Sequence, residues 1–132
     1  MRVGRGHLSE ESLWKRIAID VTHYERKKYL TIIDCGPSRF ALWKCIQSED
    51  AGVVSKILNE VFCERGAPFE IIADNGTNFK SRLIAELCKR WQVQLHFRAA
   101  YYSEGNGIIE RHHRTVKRIA ARARIDPLEA VY

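Results

Sequence analysis

The sequence has no apolar run approaching the ~18 residues of a membrane-spanning helix, and the leading Met1-Arg2-Val3-Gly4-Arg5-Gly6 opens no apolar signal core. Both absences point to a soluble intracellular protein. Its four cysteines, Cys35, Cys45, Cys63 and Cys88, are never closer than ten positions. That spacing excludes a Cys-x-x-Cys zinc knuckle or redox pair, and the apolar neighbourhood of each predicts buried free thiols. No internal repeat or low-complexity tract is present. Acids are missing between positions 111 and 124, where Arg111, Arg114, Lys117, Arg118, Arg122 and Arg124 by themselves equal the net charge of +6. The remainder is balanced, so the positive field is local and favours an anionic polymer as partner.

What is present fits one domain of 132 residues, large enough to bury a core. Residues 1–13 are polar and glycine-bearing and read as a flexible lead or linker, with an isolated His7 that carries no role. The folded unit is then 14–132. Ile17, Ile19 and Val21 alternate with Ala18 between them, so Arg16–Thr22 reads as a largely buried strand. Tyr29–Ile33 and Phe40–Ile46 read as two more, joined across the Gly36-Pro37 turn. Short links between three strands predict an antiparallel meander.

Val53, Val54, Ile57, Leu58, Val61 and Phe62 then recur at helical spacing, with Gly66 as the stop. A short strand, Phe69–Ile72, follows. Phe79, Leu83, Leu87 and Trp91 mark a second helix, with Asn78 as its N-cap. Val93, Leu95 and Phe97 alternate with Gln94, His96 and Arg98 in a half-buried strand, and residues 99–107 form a loop. The basic helix comes next, its Ile109, Val116, Ala120 and Ala123 spaced to pack on a sheet. Asp126-Pro127 starts a last helix, with Pro at its first position, which is unfinished at Tyr132. The expectation is a piece of a longer polypeptide. The order βββαβαβα describes an α/β fold, one mixed sheet covered by helices, with strands one and four able to lie side by side.

Three acids occupy positions that ask for a chemical reason. Asp20 falls inside an apolar strand, where a carboxylate either pairs with a cation or bonds backbone amides or Thr22. Asp74 follows the end of the fourth strand, a common place for ligand-binding groups, though Asp-Asn-Gly is also good turn chemistry. Glu110 opens the basic helix, and a step of about 100° per residue puts it on one face with Arg114 and Lys117. Carboxylates from three elements could hold two divalent cations ~3.5–4 Å apart, the arrangement that supports in-line phosphoryl transfer.

In these blocks the chain resembles the catalytic core of retroviral and long-terminal-repeat retrotransposon integrases, ribonuclease-H-like DDE polynucleotidyl transferases. The blocks are Ile19-Asp20-Val21-Thr22-His23-Tyr24, Asp74-Asn75-Gly76-Thr77-Asn78-Phe79 and Gly105-Asn106-Gly107-Ile108-Ile109-Glu110-Arg111. Thirty-five residues separate Asp74 from Glu110, the family's spacing. The Arg-rich stretch after Glu110 is most similar to the gypsy-like branch. The resemblance spans residues 14–130 and implies a ribonuclease-H-like, five-stranded mixed sheet flanked by helices.

By that resemblance Asp20, Asp74 and Glu110 are the catalytic metal ligands for two Mg²⁺ or Mn²⁺ ions, Asp20 bridging both, with no zinc in this chain. One ion would generate the nucleophile from water or a DNA 3′-hydroxyl, and the other would stabilise the leaving oxygen. The activity implied is 3′-end processing and strand transfer of retroelement DNA into target DNA. Arg114 and Lys117, with Arg111, Arg118, Asn106 and Tyr101, would contact DNA, and Gly105 and Gly107 would hinge the loop. Asn75 would orient the site or form the turn. His112 and His113 are expected to contact backbone or DNA rather than metal. Ser103-Glu104 stands where the family often has Pro-Gln, which removes rigidity and adds negative charge near DNA.

The family further implies a homodimer or higher oligomer, action on chromosomal DNA in the nucleus after passage through the cytoplasm in a pre-integration particle, and no membrane partner. The zinc-binding and barrel modules of the family are not in this stretch, so partial chemistry is expected of it alone. The competing reading is a domesticated or decayed core that serves as a DNA-binding or protein-interaction module. A general ribonuclease H fits less well, because it lacks the Asp-Asn-Gly and Gly-Asn-Gly blocks.

Overall fold

The computed structural model describes residues 14–36, 40–73, 79–97 and 103–131, the side chains of 103–106 excepted. Five strands form one mixed sheet: β1 Arg16–Tyr24, β2 Lys27–Asp34, β3 Ala41–Ile46, β4 Glu70–Ala73 and β5 Gln94–Phe97. Their order across the sheet is β3-β2-β1-β4-β5, with β1–β2 and β2–β3 antiparallel and β1–β4 and β4–β5 parallel. The expected meander and the central placement of β1 beside β4 are both present. Four helices are described: α1 Ala51–Arg65, α2 Arg82–Arg90, α3 Ser103–Ala123 and α4 Pro127–Ala130.

Alternation along the strands divides their side chains between two layers. Ile17, Ile19, Leu30, Ile32, Ile71 and Ala73 join Val54, Leu58, Val61 and Phe62 of α1 and Ile84 and Leu87 of α2 in the main core. Apart from Ala73, each of these side chains contributes about 1.5–3 kcal/mol by leaving water. Ala18, Ile33 and Ala41 instead meet Ile109 of α3, and Tyr29 and Trp43 meet Val116. Thus α1 and α2 cover one face, and α3 covers the β1–β2–β3 half of the other.

Several local expectations need correcting. β1 continues to Tyr24 and β2 begins at Lys27, because Glu25 (φ 47) and Arg26 (φ 69) close the hairpin in left-handed backbone. Two positive-φ residues between strands are the mark of a type I′ turn, whose usual Asn-Gly signal is missing here. Phe40 lies outside β3, and β4 begins at Glu70 with Phe69 exposed. Ser81 rather than Asn78 caps α2, its hydroxyl accepting from the Ile84 amide at 3.3 Å. Asn78 itself lies outside the described residues. The start of α2 at Arg82 leaves Phe79 buried ahead of the helix and turns Leu83 outward, so Ile84, Leu87 and Cys88 form its inner face.

The thiols also differ from expectation: Cys88 is buried, Cys35 is half-buried, and Cys45 and Cys63 are exposed. Apolar neighbours in sequence did not bury them: Cys45 shares the face of Ala41 and Trp43 but is exposed near the end of β3, and Cys63 lies off the inner stripe of α1. On α3, Ile109, Val116 and Ala120 are buried as expected, but Ala123 at the end is exposed. The stop at Gly66 (φ 88) and the Asp126 cap of α4 are both found. No helix among the described residues is long and apolar enough to cross a membrane.

Candidate active site

Asp20 lies on the central strand, opposite Thr31 of β2. Alternation puts its side chain on the face of Ala18, which packs against Ile109 of α3. The carboxylate is half-buried, and Oδ1 accepts the amide of Val21 at 2.8 Å. The backbone-amide role considered for Asp20 is therefore realised at one oxygen, and that bond fixes how the side chain points.

The parallel pairing of β1 and β4 sets Ala18 opposite Ile72. Two positions further along the two chains come Asp20 and Asp74. Asp74 itself, with Asn75 and Tyr101, lies outside the described residues. Glu110 immediately follows the anchor Ile109 and is exposed. One acid thus sits on the central strand and another on the helix packed over it. Among the described residues no group of three His, Cys, Asp or Glu side chains that could hold a metal ion is assembled.

The bases continue from Glu110 along the outward side of α3. Arg111, Arg114, Arg118, Arg122 and Arg124 are exposed, and Lys117 is half-buried. α3 begins at Ser103, so Gly105 and Gly107 fall inside the helix rather than in the loop expected to run to 107. Asn106 is in the same first turns. Around Gly107 the space is close, since a Cβ there would come within 3.3 Å of the Arg111 guanidinium.

His112 and His113 do not behave as expected, because both turn toward the sheet. Trp43 Nε1 donates to His112 Nε2 at 2.8 Å, and His113 Nε2 lies 3.0 Å from Thr31 Oγ1. The Trp43 ring meets both imidazoles, with centroids 5.9 and 5.6 Å away. Burial pushes the His112 pKa down, and an indole N–H that can only donate keeps Nε2 as an acceptor. The sequence signal was available: 109, 112, 113, 116 and 120 form one helical stripe, with the two imidazoles between the apolar anchors.

At the far end, Asp126 caps α4 by accepting the Leu128 amide at 2.9 Å, and it also accepts from Tyr29 at 3.1 Å and Lys27 at 3.0 Å. Burial pushes its carboxyl up, but those hydrogen bonds and the Lys27 charge outweigh it and hold the group below the usual range. α3 is therefore tied down at its C-terminal end as well as over β1 and β2.

Comparison with known proteins agrees with this architecture. Residues 14–103 match the integrase core domain family, a span that contains Asp20 and Asp74 and stops short of Glu110. An uncharacterized protein of Caenorhabditis elegans is 35% identical over 108 residues, covering 82% of this chain and 8% of the relative. The Gag-Pol polyprotein of avian reticuloendotheliosis virus is 30% identical over 74 residues, 56% of this chain and 6% of the polyprotein. The chain therefore spans less than a tenth of the length of these relatives.

Among solved structures, the catalytic core domain of BIV integrase superposes with a TM-score of 0.77 at 21% identity, covering 89% of this chain and 78% of that one. The HTLV-2 integrase catalytic core domain in complex with magnesium, in a dimeric form, gives 0.68 at 22% identity, over 84% and 72% of the two chains. At such identities the likeness speaks for the fold, and it is the ribonuclease-H-like one expected. With more than half of its length matched by the family, this chain belongs to the integrase core domain family.

Proposed function

We propose that this chain is the catalytic core of a retroelement integrase, a divalent-metal-dependent polynucleotidyl transferase that processes 3′ DNA ends and joins them to target DNA. The observation that carries the reading is the placement of Asp20 on the central strand, beside the strand that leads to Asp74 and beneath the helix that carries Glu110. Oxygen donors of this kind suit hard cations, Mg²⁺ or Mn²⁺, and the HTLV-2 neighbour was solved with magnesium. Asp20, Asp74 and Glu110 would hold the ions, which supply charge stabilisation and activation of the attacking oxygen.

The chain's own residues do the rest. The Val21 amide orients the Asp20 carboxylate. Ile109, packed on Ala18, Ile33 and Ala41, holds the start of α3 against the sheet, and the exposed Arg111, Arg114 and Arg118 offer charges to a phosphate backbone. Tyr101, Asn106 and Lys117 complete the proposed DNA contacts. Pairing of two copies is part of the proposal, supported by the dimeric form of the HTLV-2 core. A chromosomal substrate would place the action in the nucleus.

The test is nicking of a duplex DNA end with Mg²⁺ or Mn²⁺. Wild-type chain should cleave only with the metal, and Asp20→Asn or Asp74→Asn should slow cleavage roughly a hundredfold or more while leaving DNA binding intact. DNA binding without metal-dependent cleavage would instead favour the DNA-binding module.

A further inference from the structure

We infer that Thr31 and His113 are a positioning pair that sets the Asp20 carboxylate relative to α3, and this rests on the reading of Asp20 as a site residue. Thr31 is fully buried, on the strand next to β1 and opposite Asp20. Its hydroxyl lies 3.3 Å from the Asp20 carbonyl oxygen and 3.0 Å from His113 Nε2. The hydroxyl has one proton, and the carbonyl can only accept. Thr31 therefore donates to Asp20, and its lone pair accepts from His113, whose proton is on Nε2.

The bond does not end at the strand. The peptide whose carbonyl Thr31 holds is the one between Asp20 and Val21, and its N–H is the donor to Asp20 Oδ1 at 2.8 Å. The run from α3 is thus His113 Nε2–H to Thr31 Oγ1, Thr31 O–H to the Asp20 carbonyl, and the same peptide's N–H to the Asp20 carboxylate. Hydrogen bonds in such a run polarise one another, and buried ones hold their geometry. His113 lies one helical turn after Glu110, so the element that carries one proposed ligand is bonded to the peptide that aims another. Its neighbour His112 takes the opposite role, accepting from Trp43, so adjacent imidazoles have opposite tautomers.

Residues that orient ligands from behind typically change metal affinity by about 10–100-fold when altered. Thr31→Val keeps the β-branched shape and removes only the hydroxyl, whereas Thr31→Ser keeps the hydroxyl. In the whole chain, with Mn²⁺ as the probe, Thr31→Val should weaken binding about tenfold or more and Thr31→Ser should bind near the wild-type level. Nitrogen NMR of the wild type should show His113 protonated at Nε2, and the Val21 amide should exchange faster in Thr31→Val than in Thr31→Ser.

Equal Mn²⁺ affinity in wild type and a folded Thr31→Val would overturn the inference and leave the proposed function standing. His113 protonated only at Nδ1 would overturn it whether or not Thr31→Val folds. If the wild type bound no Mn²⁺, the proposed function would fail, while the His113 tautomer and the Val21 exchange would still decide for or against the pair.

Discussion

Asp20 follows the fully buried run Ile17–Ile19 of its strand, and an ionised group there demands partners. That contrast made it legible in the sequence. The two histidines of α3 share the stripe of Ile109, Val116 and Ala120, but the sequence does not say which polar groups of the sheet meet the imidazoles there. Trp43 decides that question by placing an indole N–H under His112. Glu25 and Arg26 escaped notice for a different reason, since neither belongs to the residues that favour left-handed turns. A non-glycine residue at such φ costs about 1–2 kcal/mol, part of which glycine gives back in unfolded-chain entropy. Arg26→Gly should therefore raise stability by about 0.5–1 kcal/mol in a urea titration, and a loss would mean that the Arg26 side chain contributes more than its backbone conformation costs.

At the scale of elements, topology was read from link lengths: short links gave the meander, and the crossover helix α1 brought β4 back beside β1 in parallel. The start of α3 was not readable, because Gly105, Asn106 and Gly107 carry loop propensity and the structure nevertheless places them in helix. Placement of the third block could be read without its boundary, since Ile109 and Val116 alone settle which face packs. The far end of α3 depends on Asp126, whose bonds to Leu128, Tyr29 and Lys27 join α4 to the β1–β2 hairpin. Its folded pKa lies below the ordinary value of 3.8, so the folded state binds the proton less readily than the unfolded chain. That stabilisation is present above the ordinary value and is lost as pH falls through the folded one. Thermal midpoints of wild type and Asp126→Asn should differ at pH 6 and converge toward pH 3. Asparagine keeps the cap, so a constant difference would show that the carboxylate charge is not what matters.

For the whole molecule, the net charge of +6 equals the number of bases between positions 111 and 124, a stretch with no acid, and most of those bases are exposed. Binding to duplex DNA should weaken steeply with salt, and Arg114→Ala and Lys117→Ala should each reduce the log–log salt slope by about 1 without changing sequence preference. A slope unchanged by both would put the DNA elsewhere. The fold class was legible because alternation and helical spacing are local patterns. The contacts around Asp20 were less so, because they depend on side chains from β2 and α3 meeting across the sheet.

The most direct measurement is calorimetric titration of Mn²⁺ into this chain and into Asp20→Asn. Saturable binding by the wild type that Asp20→Asn loses is the predicted result, and it would make the carboxylates a working metal site. Absence of binding in both, with DNA present, would contradict the account and leave a fold that binds DNA without the chemistry.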